Sequence, residues 1–212
     1  MNVQTIRNLF KQKYLKGEKG STVSLYGVSF EADEDTIFSE PNQKYIEAEI
    51  KWYKSRSKNI FDLDYDPVPA IWRDVADLEG NINSNYGAII FDENGLELSQ
   101  YECVLDILRE DKYSRRATMI YTYPEIHNDY KWRGMNDFIC TNAVSYYVEN
   151  DVLNAVVQMR SNDAVYGYKN DLAWQKEVLR MLASDLEMEP GKIIWQVQNL
   201  HVYERHYDYL ET

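Results

Sequence analysis

Cysteine is nearly absent: Cys103 and Cys140 are the only two in 212 residues. Two cysteines cannot build the disulfide framework of a small secreted domain, and no CxxC pair exists. Histidine is almost as scarce. His127, His201 and His206 show no metal-ligand spacing with the cysteines, so no bound metal is expected. No apolar run approaches the roughly 18 residues that span a bilayer. The opening stretch, MNVQTIRNLFKQKYLKG, has no apolar signal-peptide core. A reduced, cytoplasmic compartment is therefore expected, with no membrane partner. Positive charge is also in deficit, with 23 Lys and Arg against 35 Asp and Glu and a net charge of −12. Holding a nucleic-acid backbone takes clustered cations, so no stable nucleic-acid binding is expected. A small phosphorylated ligand needs only a local group of arginines and stays open. Nine Gly and five Pro form no linker, and no internal repeat divides the chain. One domain over residues 1–212 is the simplest reading.

What is plentiful is aromatic surface, with 18 Tyr and 5 Trp, residues that serve pockets and interfaces as well as cores. Val3, Ile6, Leu9, Phe10 and Tyr14 recur at helical spacing over 3–15. TVSLYGVSF (22–30) alternates as a strand. Helices are expected over 42–55 and 97–109, the latter burying Cys103. Strands are expected over 116–123, 138–148 and 153–161, with a hairpin turn at Glu149-Asn150-Asp151. Leu172, Leu179, Leu182 and Leu186 mark a helix over 171–187, which Pro190-Gly191 closes before a strand over 192–203. Few helices against a mixed or antiparallel sheet indicate the α+β class.

Cys140 alone is ambiguous, because a lone strand cysteine is more often a small buried hydrophobe than a nucleophile. A reactive thiolate needs a nearby positive charge. A hairpin at 149–151 brings the strand carrying Arg160 beside the strand carrying Cys140. The bland alternative makes Arg160 a solvated charge at a strand end.

The motifs along the chain resemble those of the thymidylate synthase superfamily. They are Cys140, then Arg160-Ser161-Asn162-Asp163, then His201-Val202-Tyr203, preceded by Glu49-Ile50-Lys51-Trp52, Ile71-Trp72-Arg73-Asp74, Asn85-Tyr86-Gly87 and Ser114-Arg115-Arg116. Order and spacing agree over roughly residues 20–206. Within the superfamily, Ile82–Gly87, Met159–Asp163 and Ala173-Trp174-Gln175-Lys176 are similar to the branch, found in T-even bacteriophages, that hydroxymethylates deoxycytidylate (dCMP). Ile139-Cys140-Thr141 stands where thymidylate synthases have Pro-Cys-His, which also favours that branch.

The resemblance implies a thymidylate synthase-like fold and a sheet-mediated homodimer with shared active sites. It implies dCMP as substrate and 5,10-methylenetetrahydrofolate as cosubstrate. Cys140 would be the nucleophile, and Glu49 would organise water and move protons. Arg160 and Ser161, with Arg115 and Arg116 reaching across the dimer, would bind phosphate, for which the guanidinium fork is suited. His201 and Tyr203 would bind the sugar hydroxyl, Asn170 would also contact substrate, and Tyr86 would support the nucleophile. Trp72 and Asp163 would line the folate pocket.

Asp171 stands where thymidylate synthases carry Asn. A carboxyl group can accept from cytosine N4–H and share a proton with N3. The competing reading makes Asp171 the cap of the following helix. The rival activities are dUMP hydroxymethylation, thymidylate synthesis and non-catalytic nucleotide binding. The family's N-terminal phosphate-loop arginine has no clear match, with Lys16 and Lys19 as the nearest cations. Thymidylate synthases also continue beyond His-x-Tyr into a tail that closes over folate. The chain stops at Thr212, so a more open, water-admitting site is expected.

Overall fold

A computed structural model describes residues 1–132 and 134–211, with all side chains in that range except those of residues 130–132. The chain forms two compact units: Met1–Pro41 with Val144–Thr212, and Asn42–Ala143.

The first unit is built on a mixed sheet. Its strands are β1 (Thr22–Glu31), β3 (Thr141–Glu149, which begins in the second unit), β4 (Val152–Met159), β5 (Asn162–Asp163) and β6 (Glu189–Tyr203). They are ordered β1-β6-β4-β3, with β5 also paired to β6. The long β6 is antiparallel to β1, from Thr22↔Tyr203 to Glu31↔Ile194, and parallel to β4, from Val152↔Glu189 to Met159↔Val197. Asn150 and Asp151 both adopt positive φ, the turn conformation that links two strands in a tight hairpin, so β3 and β4 turn where expected.

Helix α1 (Val3–Leu15) packs on β1. Asn2 caps it by accepting from Thr5 N–H at 3.0 Å, and it buries Val3, Ile6 and Phe10. Helix α7 (Gly167–Asp185) covers β4, β5 and β6 with Tyr168, Leu172, Val178, Leu179 and Leu182. A short α8 (Asp208–Glu211) buries Leu210.

Two expectations fail here for local reasons. Helix α7 starts at Gly167, not 171, so Asp171 is its fifth residue and caps nothing; the N-cap position is Tyr166, with no side-chain cap. Pro190-Gly191 does not end the helix but lies inside β6. The helix stops at Leu186. Glu187 turns with φ 55°, and the N–H groups of Glu187 and Met188 close on Ser184 O at 3.1 Å and Ala183 O at 2.8 Å. Proline is tolerated in the strand because the ladder is already irregular between Leu153 and Ala155. There the Asn154 side chain accepts from Lys192 N–H at 2.9 Å. A Cβ at Gly191 would sit 2.3 Å from Asn154 Oδ1, so that amide requires glycine opposite it.

The second unit is mainly helical: α2 (Gln43–Ser55), α3 (Ala70–Val75), α4 (Tyr86–Phe91), α5 (Gln100–Glu110) and α6 (Ile126–Trp132), with a short strand β2 (Thr118–Ile120). Helix α5 starts at Ser99 through a reciprocal capping box with Glu102. Cys103 is half-buried rather than core, its Sγ 4.0 Å from Leu98 O. The strand expected over 116–123 shrinks to 118–120, and Tyr121 N–H then donates to Asn142 O at 2.9 Å.

Helices α2 and α4 meet closely at Gly87, where an added Cβ would lie 1.7 Å from Tyr53 O. Gly87→Ala forces backbone apart in this packed unit and is expected to destabilise it by about 3 kcal/mol or more. Urea denaturation of the variant against the parent measures the effect, and an unchanged midpoint refutes this view of the contact.

Candidate active site

In the second unit, a directional relay surrounds Glu49. Its neighbours Asn42 and Tyr45 set up the start of α2, where Asn42 accepts from Tyr45 N–H at 3.2 Å. One turn before Glu49, the Tyr45 hydroxyl donates to Glu49 Oε1. The same hydroxyl accepts from Trp72 Nε1–H at 2.8 Å. An indole N–H only donates, so the hydroxyl proton must go to the carboxyl. Trp72 is half-buried and stands edge-on to Trp52, ring centroids 5.3 Å apart. Glu49 is 5% exposed. Burial pushes its pKa up to about 7, against the opposing hydrogen bonds of Tyr45 and Trp72. A carboxyl poised near neutrality can both give and take a proton. The sequence paired neither Tyr45 with Glu49 nor Trp72 with either, although Tyr45 and Glu49 are four apart on one helix face.

Tyr86 is buried at the start of α4, behind the Asn85 cap, with its ring between Tyr53 at 5.4 Å and Tyr121 at 5.3 Å. The turn ahead of it is held by buried Asp137, which accepts from Asn83 N–H at 2.7 Å, Ser84 N–H at 2.6 Å and Ser84 Oγ at 2.7 Å. Cys140 immediately precedes β3 instead of lying within it. It is half-buried, with Sγ 3.8 Å from Phe138 O. It is thus not one of the packed core side chains. Arg115 and Arg116 are exposed on the loop before β2.

In the first unit, Arg160 and Ser161 are the two residues just beyond the end of β4 rather than inside it, and both are half-buried. Asn199 N–H donates to Arg160 O at 3.2 Å. Asp163 pairs in register with His201, and Ala164 N–H donates to His201 O at 2.8 Å. His201 is buried, and its Nδ1 lies 3.3 Å from Asn199 O. Desolvation holds its pKa below the ordinary value, with Arg160 and Arg205 acting the same way; Asp163 and the Asn199 carbonyl oppose them. A neutral imidazole suits hydrogen bonding to a hydroxyl. The Tyr203 ring stands edge-on to His201 at 4.7 Å, and the Arg205 guanidinium covers it at 4.4 Å. Asn170 Oδ1 is buried with no hydrogen-bond partner, and Asp171 Oδ2 accepts from Asn162 Nδ2 at 2.7 Å. The structure thus gathers Asp163, His201 and Tyr203 at one end of the sheet. Sequence reasoning missed Lys169, whose ammonium is buried and donates to Ser39 Oγ and Glu40 O, each at 2.8 Å. In sequence it lies between the Arg160–Asp163 and Ala173–Lys176 runs and belongs to neither, so no signal marked it.

Among the described residues, no group of three or more His, Cys, Asp or Glu is placed to hold a metal ion. Nor is any helix among them long and apolar enough to cross a membrane.

The family model for thymidylate synthase matches residues 36–212. The chain belongs to the thymidylate synthase family. Among its relatives in this family, the deoxycytidylate 5-hydroxymethyltransferases of Enterobacteria phages T4 and T2 are 47% identical over 193 residues, covering 88% of this chain and 77% of each relative. The thymidylate synthase of Francisella tularensis subsp. holarctica is 26% identical over 166 residues, covering 74% of this chain and 60% of the relative. The solved structure of the thermostable thymidylate synthase A from Bacillus subtilis superposes with a TM-score of 0.71 at 25% identity, over 90% of this chain and 69% of that one. The thymidylate synthase fold, a mixed sheet packed with helices, is the one expected from the motifs.

Proposed function

We propose that this chain is a deoxycytidylate 5-hydroxymethyltransferase acting as one catalytic domain. The observation that carries this is the 47% identity to phage enzymes of that name over 88% of the chain. The carboxyl at 171, which can match cytosine's amino edge, supports it.

The Cys140 thiolate adds to C6 of dCMP, making C5 an enamine-type carbon nucleophile. 5,10-Methylenetetrahydrofolate, as cosubstrate, supplies the one-carbon unit that C5 takes up. Tetrahydrofolate is the leaving group as the C5 proton is lost, and water then adds to the resulting exocyclic methylene as the thiolate departs, giving 5-hydroxymethyl-dCMP. Glu49, with its pKa near 7, moves protons during these steps. Its fit to that task rests on its burial and on the Trp72–Tyr45 relay, which also orients the indole assigned to the folate side with Asp163.

Arg160 and Ser161 bind the phosphate, joined by Arg115 and Arg116 of a second copy in a homodimer. Their exposure in a single chain agrees with that role. His201 and Tyr203 hold the 3′-hydroxyl. Asn170 contacts the nucleotide through its unpaired carbonyl oxygen. Tyr86 supports the Cys140 region. The setting is the cytoplasm of a phage-infected host.

The deciding experiment incubates the protein with [5-³H]dCMP and methylenetetrahydrofolate. Tritium release, hydroxymethyl product and oxygen from labelled water are expected. Dihydrofolate formation instead marks a methylating enzyme, and preference for dUMP in competition marks the uracil branch.

A further inference from the structure

Asn162 is 3% exposed and sits between two groups of opposite demand. On one side, Trp195 Nε1–H reaches Asn162 Oδ1 at 3.2 Å; on the other, Asn162 Nδ2 reaches Asp171 Oδ2 at 2.7 Å. Trp195 is wholly buried in β6, directly beneath α7. Its indole can only donate, so the amide atom facing it must be the oxygen. The amide has no second orientation that satisfies Trp195, and its NH2 end is therefore committed to Asp171. Gly167 leaves room for this pairing: a Cβ there would approach Asn162 Nδ2 to 3.1 Å and Asp171 Oδ2 to 3.7 Å.

We infer that Asn162, oriented by Trp195, is a positioning residue that fixes the donor–acceptor polarity of Asp171 and thereby its choice of base. This rests on the reading of Asp171 as the group that meets the pyrimidine edge. With Oδ2 committed as an acceptor, any proton that Asp171 holds beside a bound pyrimidine resides on Oδ1. The carboxyl then offers one acceptor and one donor in a set order. Cytosine needs that pair, because N4–H donates and N3 accepts. Uracil presents the reverse, N3–H as donor and O4 as acceptor, and a carboxyl whose proton cannot change oxygens does not match it. Selectivity therefore depends on a buried amide and indole as well as on the carboxyl itself.

The test is Asn162→Asp, which keeps the shape and the acceptor for Trp195 but replaces the donor to Asp171 with a second carboxyl. Two carboxyls that close share a proton, so the polarity at Oδ2 becomes dependent on pH. The ratio of kcat/KM for dCMP over dUMP is expected to fall about tenfold or more, the scale of one hydrogen bond to a charged group. The pH profile with dCMP gains a limb that the parent lacks. Trp195→Phe frees the amide to turn and moves the ratio the same way by about threefold to tenfold; it decides the matter if Asn162→Asp does not fold. A residue that merely supports the fold lowers both nucleotides equally and leaves ratio and pH profile unchanged, and that result overturns the inference. A parent that releases no tritium from [5-³H]dCMP sinks the hydroxymethyltransferase reading itself, and this inference with it. A parent active on dCMP with insensitive variants sinks only the role of Asn162.

Discussion

Cys140→Ala is expected to abolish hydroxymethylation, with kcat falling by about 10⁴-fold or more, as when other covalent nucleophiles are removed. The reaction has no alternative entry, because C5 of a pyrimidine becomes nucleophilic only after an adduct forms at C6. The residue stands half-buried at the threshold of β3, a position a nucleophile can use and a packed core cysteine cannot. Binding of dCMP should survive within about threefold, since the phosphate and sugar contacts assigned to Arg160, Ser161, His201 and Tyr203 stay in place, and removing a group that acts only in the transition state spares ground-state affinity. Tritium release from [5-³H]dCMP reads the first quantity and calorimetric titration the second. Intact-mass spectrometry should detect a nucleotide adduct on the parent and none on the variant. Turnover by Cys140→Ala at the parental rate would remove the covalent mechanism.

Glu49→Gln should lower kcat by about 10²–10⁴-fold, the usual contribution of a positioned acid or base. The Gln side chain retains an oxygen for the Tyr45 hydroxyl, so the relay from Trp72 persists while proton transfer is lost. The parent's kcat–pH profile should bend near pH 7, where Glu49 titrates, and the Gln variant should lack that inflection.

The same group links stability to pH. Its folded pKa of about 7 lies above the ordinary value of 4.5, so the folded protein retains a proton that the unfolded chain releases. This contribution is fully present below pH 4.5 and is lost as pH rises through about 7. The parent should therefore lose stability relative to Glu49→Gln between those values, by on the order of 3 kcal/mol. Urea denaturation of both proteins at pH 5 and pH 8 measures the difference. Parallel behaviour of the two proteins would mean that Glu49 is not buried as the structure has it.

The large elements were legible because burial imposes a period. Val3, Ile6 and Phe10 announced α1, and the alternation of TVSLYGVSF announced β1. The hairpin at Asn150-Asp151 was legible from its turn chemistry. Short helices such as α3 and α4 were not, since six residues hold too few apolar positions to display a period. Pro190-Gly191 misled because its accommodation depends on the Asn154 side chain across the ladder, a contact made 36 residues away in sequence from Pro190. Asp171 resembled a helix cap because nothing local reveals that α7 begins without one at Gly167. The motif residues were legible as a set from their order. What connects them was not: Trp72 to Tyr45 and Trp195 to Asn162 are tertiary contacts between aromatic donors and buried polar groups.

The pairing of β1 with β6 has a consequence during synthesis. Thr22 waits for Tyr203, and β4 waits for the strand that begins at Glu189. A nascent chain therefore cannot complete its sheet until β6 has left the ribosomal exit tunnel. Until then β1 and β4 present unpaired edges that a chaperone would have to shield, whereas residues 42–143 emerge as one uninterrupted stretch and are free to condense first.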